Sequence, residues 1–400
     1  MNALPARRSI RDCETLRVTE SNLERNRFDR MEWAGAFGDL GTFIPFVVAY
    51  ITVLKIDPVG VLFAFGIAMI ACGAYFKTPF PVQPMKAIGA IAATQAAQTA
   101  VITPSTVYCA SLATGLLWLA LGLTGATGRI VKLVPRTVIV GIVLGLGLSF
   151  MLEGIRMMQT GWLIAAVGLF GTLMLLTNRR IPGMFVVLIF GAVCGALQHP
   201  DLLGRLHGSS FAIRLPRFTL FSSLNWYDLS VGTFLLALPQ LPLTLGNAVI
   251  AISEENNRLF PQHPVRENTV AVSTGIMNVG SALCGGVPMC HGAGGMAGHV
   301  AFGARTGGAP IILGTILLGL ALCLGSSIEA ILGFFPKAVL GVILFLTGAQ
   351  LALGSCDFSK HKVERFVTLV TAAFSMWNVG LAFLVGLTLG YIAKRGWLRL

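Results

Sequence analysis

The amino-acid sequence predicts an all-α polytopic membrane protein with fourteen transmembrane segments, arranged as an inverted repeat of seven plus seven. Three observations favour this fold class: the composition, the distribution of positive charge and a similarity between the two halves of the chain. Of the 400 residues, 55% are hydrophobic and only 12% are charged, whereas soluble domains carry about 25% charged residues. This composition excludes a soluble enzyme, a disordered regulator and a secreted disulfide scaffold.

Apolar stretches of membrane-spanning length occur along nearly the whole chain. A membrane-spanning helix needs about 20 predominantly apolar residues. Spans are predicted at 33–54, 58–76, 84–99, 104–124, 134–154, 161–177, 181–197, 229–252, 268–286, 291–303, 309–325, 335–354, 363–378 and 379–396. The third and tenth spans are too short to cross a bilayer alone, which predicts that they are half-helices.

The basic residues lie mainly on one predicted side of the membrane. With the N-terminus placed in the cytoplasm, 22 of the 29 Lys and Arg residues fall on the cytoplasmic side and six on the outer side. This asymmetry agrees with the positive-inside rule, and it predicts an inner or plasma membrane location with both termini cytoplasmic. The net charge of +12 therefore reflects topology and contact with membrane lipid, not a nucleic-acid-binding surface.

The two halves of the chain share short sequence matches. The sequence PRTV at 135–138 matches PKAV at 336–339, 201 residues later. The sequence VQPMKA at 82–87 resembles GVPMCH at 286–291, with the Pro-Met pairs 204 residues apart. Either match alone is explained by chance, but two matches at nearly one offset favour a duplication. Because each repeat would hold seven spans, an odd number, the second repeat is predicted to be inverted, as in many secondary transporters.

This duplication predicts the organisation of the chain. A basic cytoplasmic tail, membrane repeat 1 (spans 1–7), an extracytoplasmic loop and membrane repeat 2 (spans 8–14) are expected at 1–31, 32–200, 201–228 and 229–400, respectively.

Two proline- and glycine-rich segments interrupt the helical pattern. The sequence TPFPVQPMK at 78–86 contains three prolines, which fix an extended chain, and Pro84 can begin a helix that runs through Lys86. The sequence GGVPMCHGAGG at 285–295 has the same design. If the two half-helices face each other, their free N–H groups and dipoles form an anion site near mid-membrane. Lys86 adds a positive charge there, or it snorkels or pairs with a carboxylate; His291 is either a ligand or a hydrogen-bonded core histidine.

Asp39 is the acidic residue that lies well inside a predicted span. Intramembrane carboxylates are costly and usually functional, so Asp39 is the candidate proton carrier, with a structural pair to Lys86 as the alternative. In the corresponding span of repeat 2, Gln240, Thr244 and Asn247 lie on one helical face. They are predicted either to line the same cavity or to bond neighbouring helices.

No signature of an enzyme, a metal site or a cofactor site is found in the sequence. His291 and His299 are eight residues apart on a glycine-rich helix, a poor spacing for metal ligands. We therefore expect neither a bound metal nor a cofactor, and no catalytic activity.

Four sequence motifs lie in both halves of the membrane portion. They are GDLGTFIP, PFPVQPMKAI, PLTLGNA and PMCHGAGGMAGHVAFGARTGG, at 38–45, 79–88, 242–248 and 288–308. These motifs resemble those of the molybdate transporter family of plants, algae and bacteria. This family is a branch of the sulfate permease (SulP) superfamily that lacks the cytoplasmic STAS domain.

The resemblance implies a fold, a substrate class and a set of binding residues. The fold is the seven-plus-seven inverted repeat, in which spans 1–4 and 8–11 form a core domain and spans 5–7 and 12–14 form a gate domain. The substrate is a tetrahedral oxyanion. The implied substrate-binding positions are Thr42, Gln83, Lys86, Gln240, Asn247 and His291, together with amides near Met85 and Gly292; neighbouring Thr244 and Cys290 complete the predicted set.

These expectations define a secondary active transporter that imports molybdate by alternating access and is coupled to protons. A sulfate or general oxyanion transporter on the same fold is the nearest alternative, and a nucleobase–proton symporter and an uncoupled anion channel are more remote. The expected partners are a small oxyanion (molybdate, tungstate or sulfate), protons and lipid. A second copy of the chain, forming a homodimer, is a further candidate partner.

Overall fold

The fold is almost entirely helical in a computed structural model of the chain. The structure describes residues 25–52, 54–86, 88, 102–131, 134–175, 183–198, 200, 213–218, 225–328, 331, 335–353, 361–377 and 379–397. Most of the predicted tail, of half-helix 3 and of the extracytoplasmic loop lies outside these residues. The predicted N-terminal tail, the helix after Lys86 and the assignment of 201–228 as a loop therefore stay predictions.

Helices in the first half coincide closely with the predicted spans. Span 1 is divided at Phe37–Asp39, where one 3-10 turn joins two α-helices, and span 2 begins at Pro58, capped by the Asp57 carboxylate. The helices are α1 Arg30–Ala36, α2 Leu40–Thr52, α3 Pro58–Phe76, α4 Pro104–Leu123, α5 Ala126–Val131, α6 Arg136–Met158, α7 Trp162–Leu175 and α8 Gly183–Gln198.

The second half follows the predicted spans closely except in span 8, where the helix extends beyond the predicted limits of 229–252 at both ends. Span 8 is continuous from Trp226 to Leu259, but it widens into π-helical turns at Gly232–Ala237 and Thr244–Ala251. Its prolines, Pro239 and Pro242, have no amide hydrogen to donate. The helices are α9 Trp226–Val231, α10 Leu238–Leu243, α11 Ile252–Leu259, α12 Glu267–Leu283, α13 Ala293–Ala301, α14 Gly308–Cys323, α15 Lys337–Leu353, α16 Lys362–Trp377 and α17 Val379–Lys394.

Two short extended segments replace helix between these elements. Strand β1 is Gln83–Pro84 and strand β2 is Met289–Cys290, and the two pair antiparallel. Helix α13 begins three residues after β2 and is only nine residues long. It cannot cross a bilayer, which requires about 20 residues.

The long helices pack in pairs that a two-fold relation between the halves would produce. Helix α3 packs on α14, and α4 packs on α12. If spans 2 and 9 are equivalent, and spans 4 and 11 likewise, each of these pairs is the image of the other. Helix α6 packs on α15, and β1 pairs with β2, so each of these pairs is its own image. This pattern supports the predicted duplication.

Glycines let the paired helices approach closely. A Cβ at Gly147 would lie 2.8 Å from the carbonyl oxygen of Gly348, and a Cβ at Gly348 would lie 2.6 Å from that of Gly147. Gly66 on α3 and Gly314 on α14 are placed in the same reciprocal way. Small residues at crossings are typical of membrane helices, where close packing replaces the hydrophobic effect as the main attraction.

The described helices are compatible with a membrane-embedded body. Among them, α3, α4 and α6 are each long and apolar enough to span a bilayer unaided, and several shorter apolar helices accompany them. Side chains such as Leu163, Phe170 and Trp377 are more than 60% exposed, which is expected of a lipid-facing surface. The total of fourteen spans and their grouping into core and gate domains stay predictions.

Enlarging Gly147 tests the α6–α15 crossing. We expect Gly147→Val to lower the free energy of unfolding by about 1–3 kcal/mol, because the added atoms overlap backbone that cannot move aside. Thermal unfolding in detergent measures the effect. Gly171→Val is the control, since a Cβ there meets no atom within 4 Å; equal destabilisation by both variants would contradict the crossing.

Candidate substrate site

The candidate site is built around the two extended segments. In the β1–β2 pair, Gln83 is opposite Cys290, and the Met85 N–H donates to the Pro288 carbonyl at 2.8 Å. The Met85 amide predicted to bind substrate is therefore used by the sheet. Backbone that is not helical survives at membrane depth only where protein or water satisfies it, and here each segment satisfies part of the other.

Polar side chains from neighbouring helices complete this backbone pairing. Asn278 on α12 donates to the Met289 carbonyl at 2.6 Å and accepts from the Met289 N–H at 2.9 Å. Ser281 donates to the Val287 carbonyl at 2.7 Å. From α2, the Tyr50 hydroxyl donates to the Met85 carbonyl at 3.2 Å. These contacts fix the position of both segments relative to α2 and α12.

The break in span 1 places Asp39 beside the first extended segment. The Gln83 Nε2 donates to the Asp39 Oδ1 at 2.5 Å and to the Thr42 Oγ1 at 2.6 Å, and the Thr42 hydroxyl donates to the Asp39 carboxylate. All three side chains are at most 3% exposed. Asp39 Oδ2 and Gln83 Oε1 are buried and have no hydrogen-bond partner in the described part of the chain. The network therefore ends in oxygen atoms available to a proton or a ligand.

Lys86, three residues after Gln83, carries a buried positive charge. Its Nζ is buried without a hydrogen-bond partner among the described residues and lies 3.9 Å from the centroid of the Phe150 ring. The ion pairs in the described ranges involve Arg27, Arg156 and Arg258, and none involves Lys86. The predicted alternative of a direct Asp39–Lys86 pair is therefore not found in this structure.

Of the three polar residues of span 8, Gln240 contacts the chain at Ile88, Thr244 binds Gln240, and Asn247 lies beside Gly292 of the second segment. Gln240 Nε2 donates to Thr244 Oγ1 at 3.1 Å, while Gln240 Oε1 accepts from the Ile88 N–H at 3.3 Å. Asn247 is 3% exposed, and its Oδ1 has no partner within the described residues. Gln240 is thus partly engaged by the Ile88 N–H and by Thr244, whereas Asn247 keeps an acceptor available.

Glycines on the second segment make room for the polar cluster. A Cβ at Gly292 would collide with Gln83 Oε1 and would lie 3.5 Å from Asn247 Nδ2. A Cβ at Gly295 would lie 2.9 Å from Asp39 Oδ2 and 2.8 Å from Gln83 Nε2. Gly292 and Gly295 therefore adjoin Asp39, Gln83 and Asn247 directly, which is the close backbone approach that glycine permits.

His291 has both ring nitrogens engaged by protein groups. Its Nδ1 is 2.8 Å from the Pro81 carbonyl oxygen, and its Nε2 is 3.0 Å from the Ser273 Oγ. The ring also packs edge-on against Phe80, with centroids 4.9 Å apart. This placement matches the predicted core-histidine alternative. Cys290 is likewise buried, as part of β2.

The structure thus brings most of the predicted site residues into one cluster and adds others. Asp39, Thr42, Gln83, Gly292 and Asn247 adjoin one another, and Lys86 is connected to α13 through the Phe150 ring. Met85, Cys290 and His291 belong to the paired segments or bind them. Sequence reasoning missed Phe150, Tyr50, Ser273, Asn278 and Ser281. The polar residues on α12 recur every three to five positions within an apolar span, which is a signal that could have identified its inward face. Two surface cavities lie outside this cluster. One is lined by Thr160, Ile164 and Lys337, among others, and the second by Phe76 and Arg266, among others.

Comparison with known families decides the family of the chain. A profile described as a molybdate transporter of the MFS superfamily matches residues 31–150 and again residues 232–351. A curated relative, molybdate transporter 2 of Arabidopsis thaliana, is 32% identical over 91% of this chain and 87% of its own length. The chain belongs to the molybdate transporter family. The resemblance predicted from the motifs is confirmed.

Other relatives agree with this assignment. Molybdate transporter 1 of Arabidopsis thaliana is 29% identical over 88% of this chain and 85% of its own length. Molybdate transporter 1 of Chlamydomonas reinhardtii is 27% identical over 91% and 92%, respectively. The two stretches matched by the profile begin 201 residues apart, which equals the offset of the PRTV and PKAV motifs and supports an internal duplication.

Solved structures identify the fold as that of SLC26-type transporters. The murine Slc26a9 anion transporter in its inward-facing state aligns with a TM-score of 0.62, at 14% identity over 100% of this chain and 74% of its own. The transmembrane domain of the cyanobacterial bicarbonate transporter BicA aligns with a TM-score of 0.53, at 18% identity over 91% and 98%. The predicted class of helical membrane transporter is confirmed, and the protein is an integral membrane protein.

Replacing His291 separates a structural role from a ligand role. We expect His291→Leu to lower the free energy of unfolding by about 1–3 kcal/mol, because the Pro81 carbonyl and the Ser273 hydroxyl lose their partner. Folded variant protein should bind oxyanion within about twofold of the wild-type affinity. Thermal unfolding and titration of the purified protein measure the two effects, and a large loss of affinity at unchanged stability would assign His291 to the ligand.

Proposed function

We propose that the protein imports molybdate across the membrane by alternating access, coupled to protons. The observation that carries this proposal is the buried ammonium of Lys86, which has neither a hydrogen-bond partner nor a carboxylate partner among the described residues. A buried charge without a partner is costly, so the site gains free energy when an anion enters. Family membership supports molybdate as that anion.

The surroundings of Lys86 suit a small oxyanion. Asn247 and the glycines of the second segment lie beside Gln83, which precedes Lys86 by three residues in the chain. An amide side chain presents N–H or oxygen by rotation of its end group, so Asn247 can turn its donor towards oxyanion oxygens. The start of α13 adds backbone N–H groups and the positive end of its dipole.

Asp39 supplies a physical reason for coupling to protons. Its carboxylate is fully buried and lies close to the place where the anion is proposed to bind. A dianion and an ionised carboxylate in one buried site repel each other, so protonation of Asp39 and anion binding favour each other reciprocally. A proton carried inward also offsets the membrane potential, which opposes anion entry by about 2.3 kcal/mol per charge per 100 mV.

Uptake of labelled molybdate into proteoliposomes tests the proposal. An inward proton gradient should drive accumulation, tungstate should compete, and equimolar sulfate and uracil should compete weakly. Equal competition by sulfate would indicate a general oxyanion transporter, and uptake indifferent to the gradient would contradict proton coupling.

Removing the buried charge should weaken binding of the substrate. We expect Lys86→Met to reduce molybdate affinity at least tenfold, about 1.4 kcal/mol, because methionine keeps the length of the side chain without its charge. Titration of purified protein with molybdate measures the change. Lys337→Met is the control, since Lys337 is exposed; unaltered affinity in Lys86→Met would make Lys86 structural.

Neutralising Asp39 should separate binding from coupling. We expect Asp39→Asn to abolish accumulation driven by a pH gradient while molybdate binding is retained and becomes insensitive to pH. The proteoliposome assay and titration at several pH values measure these effects. Glu153→Gln, at a carboxylate that is about half exposed, is the matched control, and normal gradient-driven accumulation in Asp39→Asn would remove Asp39 from the coupling role.

A further inference from the structure

We propose that the Phe150 side chain closes the anion site: its ring covers the Lys86 ammonium, and an oxyanion has to displace it in order to bind. This inference rests on the proposed function and assigns a specific role in it to a residue of α6. Its starting point is the 3.9 Å distance between Lys86 Nζ and the Phe150 ring centroid. At this distance the ammonium lies over the ring face, where cation–π attraction operates.

Phe150 reaches the site from a different part of the chain than the residues that form it. It is carried by α6, which packs on α15 and α16 and belongs to the predicted gate domain. Lys86 and Gly294 belong to the two interrupted segments of the predicted core domain. The contact between Phe150 and Lys86 therefore joins the two parts that alternating access would move relative to each other.

The second segment is shaped to receive the ring. A Cβ at Gly294 would overlap the edge of the Phe150 ring, lying 3.0 Å from its Cζ and 3.2 Å from its Cδ2. Phe150 is 9% exposed, so nearly all of its surface is covered. Glycine at 294 leaves the space that the ring fills, and the ring is held between α13 and Lys86.

The ring and an oxyanion cannot occupy the same side of Lys86. A charge-assisted hydrogen bond requires an oxygen within about 2.7–2.9 Å of the ammonium nitrogen, which overlaps the space of a ring centred 3.9 Å away. The face of an aromatic ring is also negative, so it repels an oxyanion. An anion that takes the side covered by the ring therefore exchanges one partner of the ammonium for another, and the ring moves when that anion arrives.

This exchange would link occupancy of the site to movement of α6. While the ring is in place, Lys86 is screened from water and from weakly held anions. An oxyanion that holds Lys86 more strongly than the ring does would release Phe150 from α13 and Lys86. A ligand shifts such an equilibrium only through its differential affinity for the two states, here with the ring on Lys86 and with the ring displaced. Lys86 provides this difference, because its ammonium is accessible to the anion only when the ring is displaced.

Variation of the Phe150 ring tests the inference. The series is phenylalanine, 3,5-difluorophenylalanine and 3,4,5-trifluorophenylalanine at position 150, with Phe150→Leu as the end point. Fluorination weakens the negative ring face at nearly constant shape. We expect molybdate affinity to rise along the series and to reach a gain of roughly 2- to 30-fold in Phe150→Leu. Titration of purified protein with molybdate, sulfate and chloride measures each affinity.

Phe345→Leu is the matched control, because Phe345 lies on the neighbouring helix α15 and packs against Gly154 instead of Lys86. The molybdate affinity of the Phe345→Leu variant should stay at the wild-type value. If Phe150→Leu does not fold, the two fluorinated variants test the role of Phe150 without it. Unchanged or falling affinity along the fluorinated series would overturn the role of Phe150, even if molybdate binds the wild type tightly. A graded rise for sulfate or chloride without molybdate binding would support Phe150 and overturn the proposed substrate. Binding of no anion to any variant would overturn both.

Discussion

The non-helical backbone at the centre of the chain has to find its hydrogen-bond partners inside the protein, and the rest of the site depends on this requirement. Unsatisfied N–H and C=O groups in a bilayer cost several kcal/mol each. The two segments meet this cost by pairing with each other and by binding Asn278, Ser281, Tyr50 and His291. Fixing the segments in this way also fixes Gln83, Lys86 and the glycines opposite them.

Much of this arrangement is predictable because the rules that create it act locally. Prolines at 79, 81 and 84 forbid helix, apolar length defines the spans, and the helices end within a few residues of the predicted limits. Asp39 is identified by the rarity of buried carboxylates in membranes, whereas Thr42 and Gln83 are identified by the motifs that the chain shares with the family. What was not predictable depends on tertiary contacts: the partner that Lys86 finds on α6, and the Pro81 carbonyl and Ser273 hydroxyl that face the ring nitrogens of His291.

The site keeps its opposite charges close without pairing them directly. Asp39 is held by Thr42 and Gln83, while Lys86 lies against an aromatic ring. A direct ion pair would satisfy both groups, so neither group would gain free energy by binding a ligand or a proton. Holding Asp39 by an amide and a hydroxyl, and Lys86 by an aromatic ring, leaves each charge undercompensated, which costs stability. The backbone pairing around the site stabilises the fold and offsets this loss of stability, as is common at functional sites.

The two repeats contribute a symmetric frame but unequal chemistry. At the offset of 201 between the matched stretches, Asp39 corresponds to Gln240, so one position carries a carboxylate in repeat 1 and an amide in repeat 2. The Asp39 carboxylate accepts from the Gln83 side chain, and the Gln240 side chain accepts from the Ile88 N–H. The proposed proton carrier therefore contacts Gln83, and only the short stretch 83–86 separates that contact from Lys86, the proposed anion-binding residue. A change in protonation at one end of this stretch has a short, packed route to the charge that holds the anion at the other.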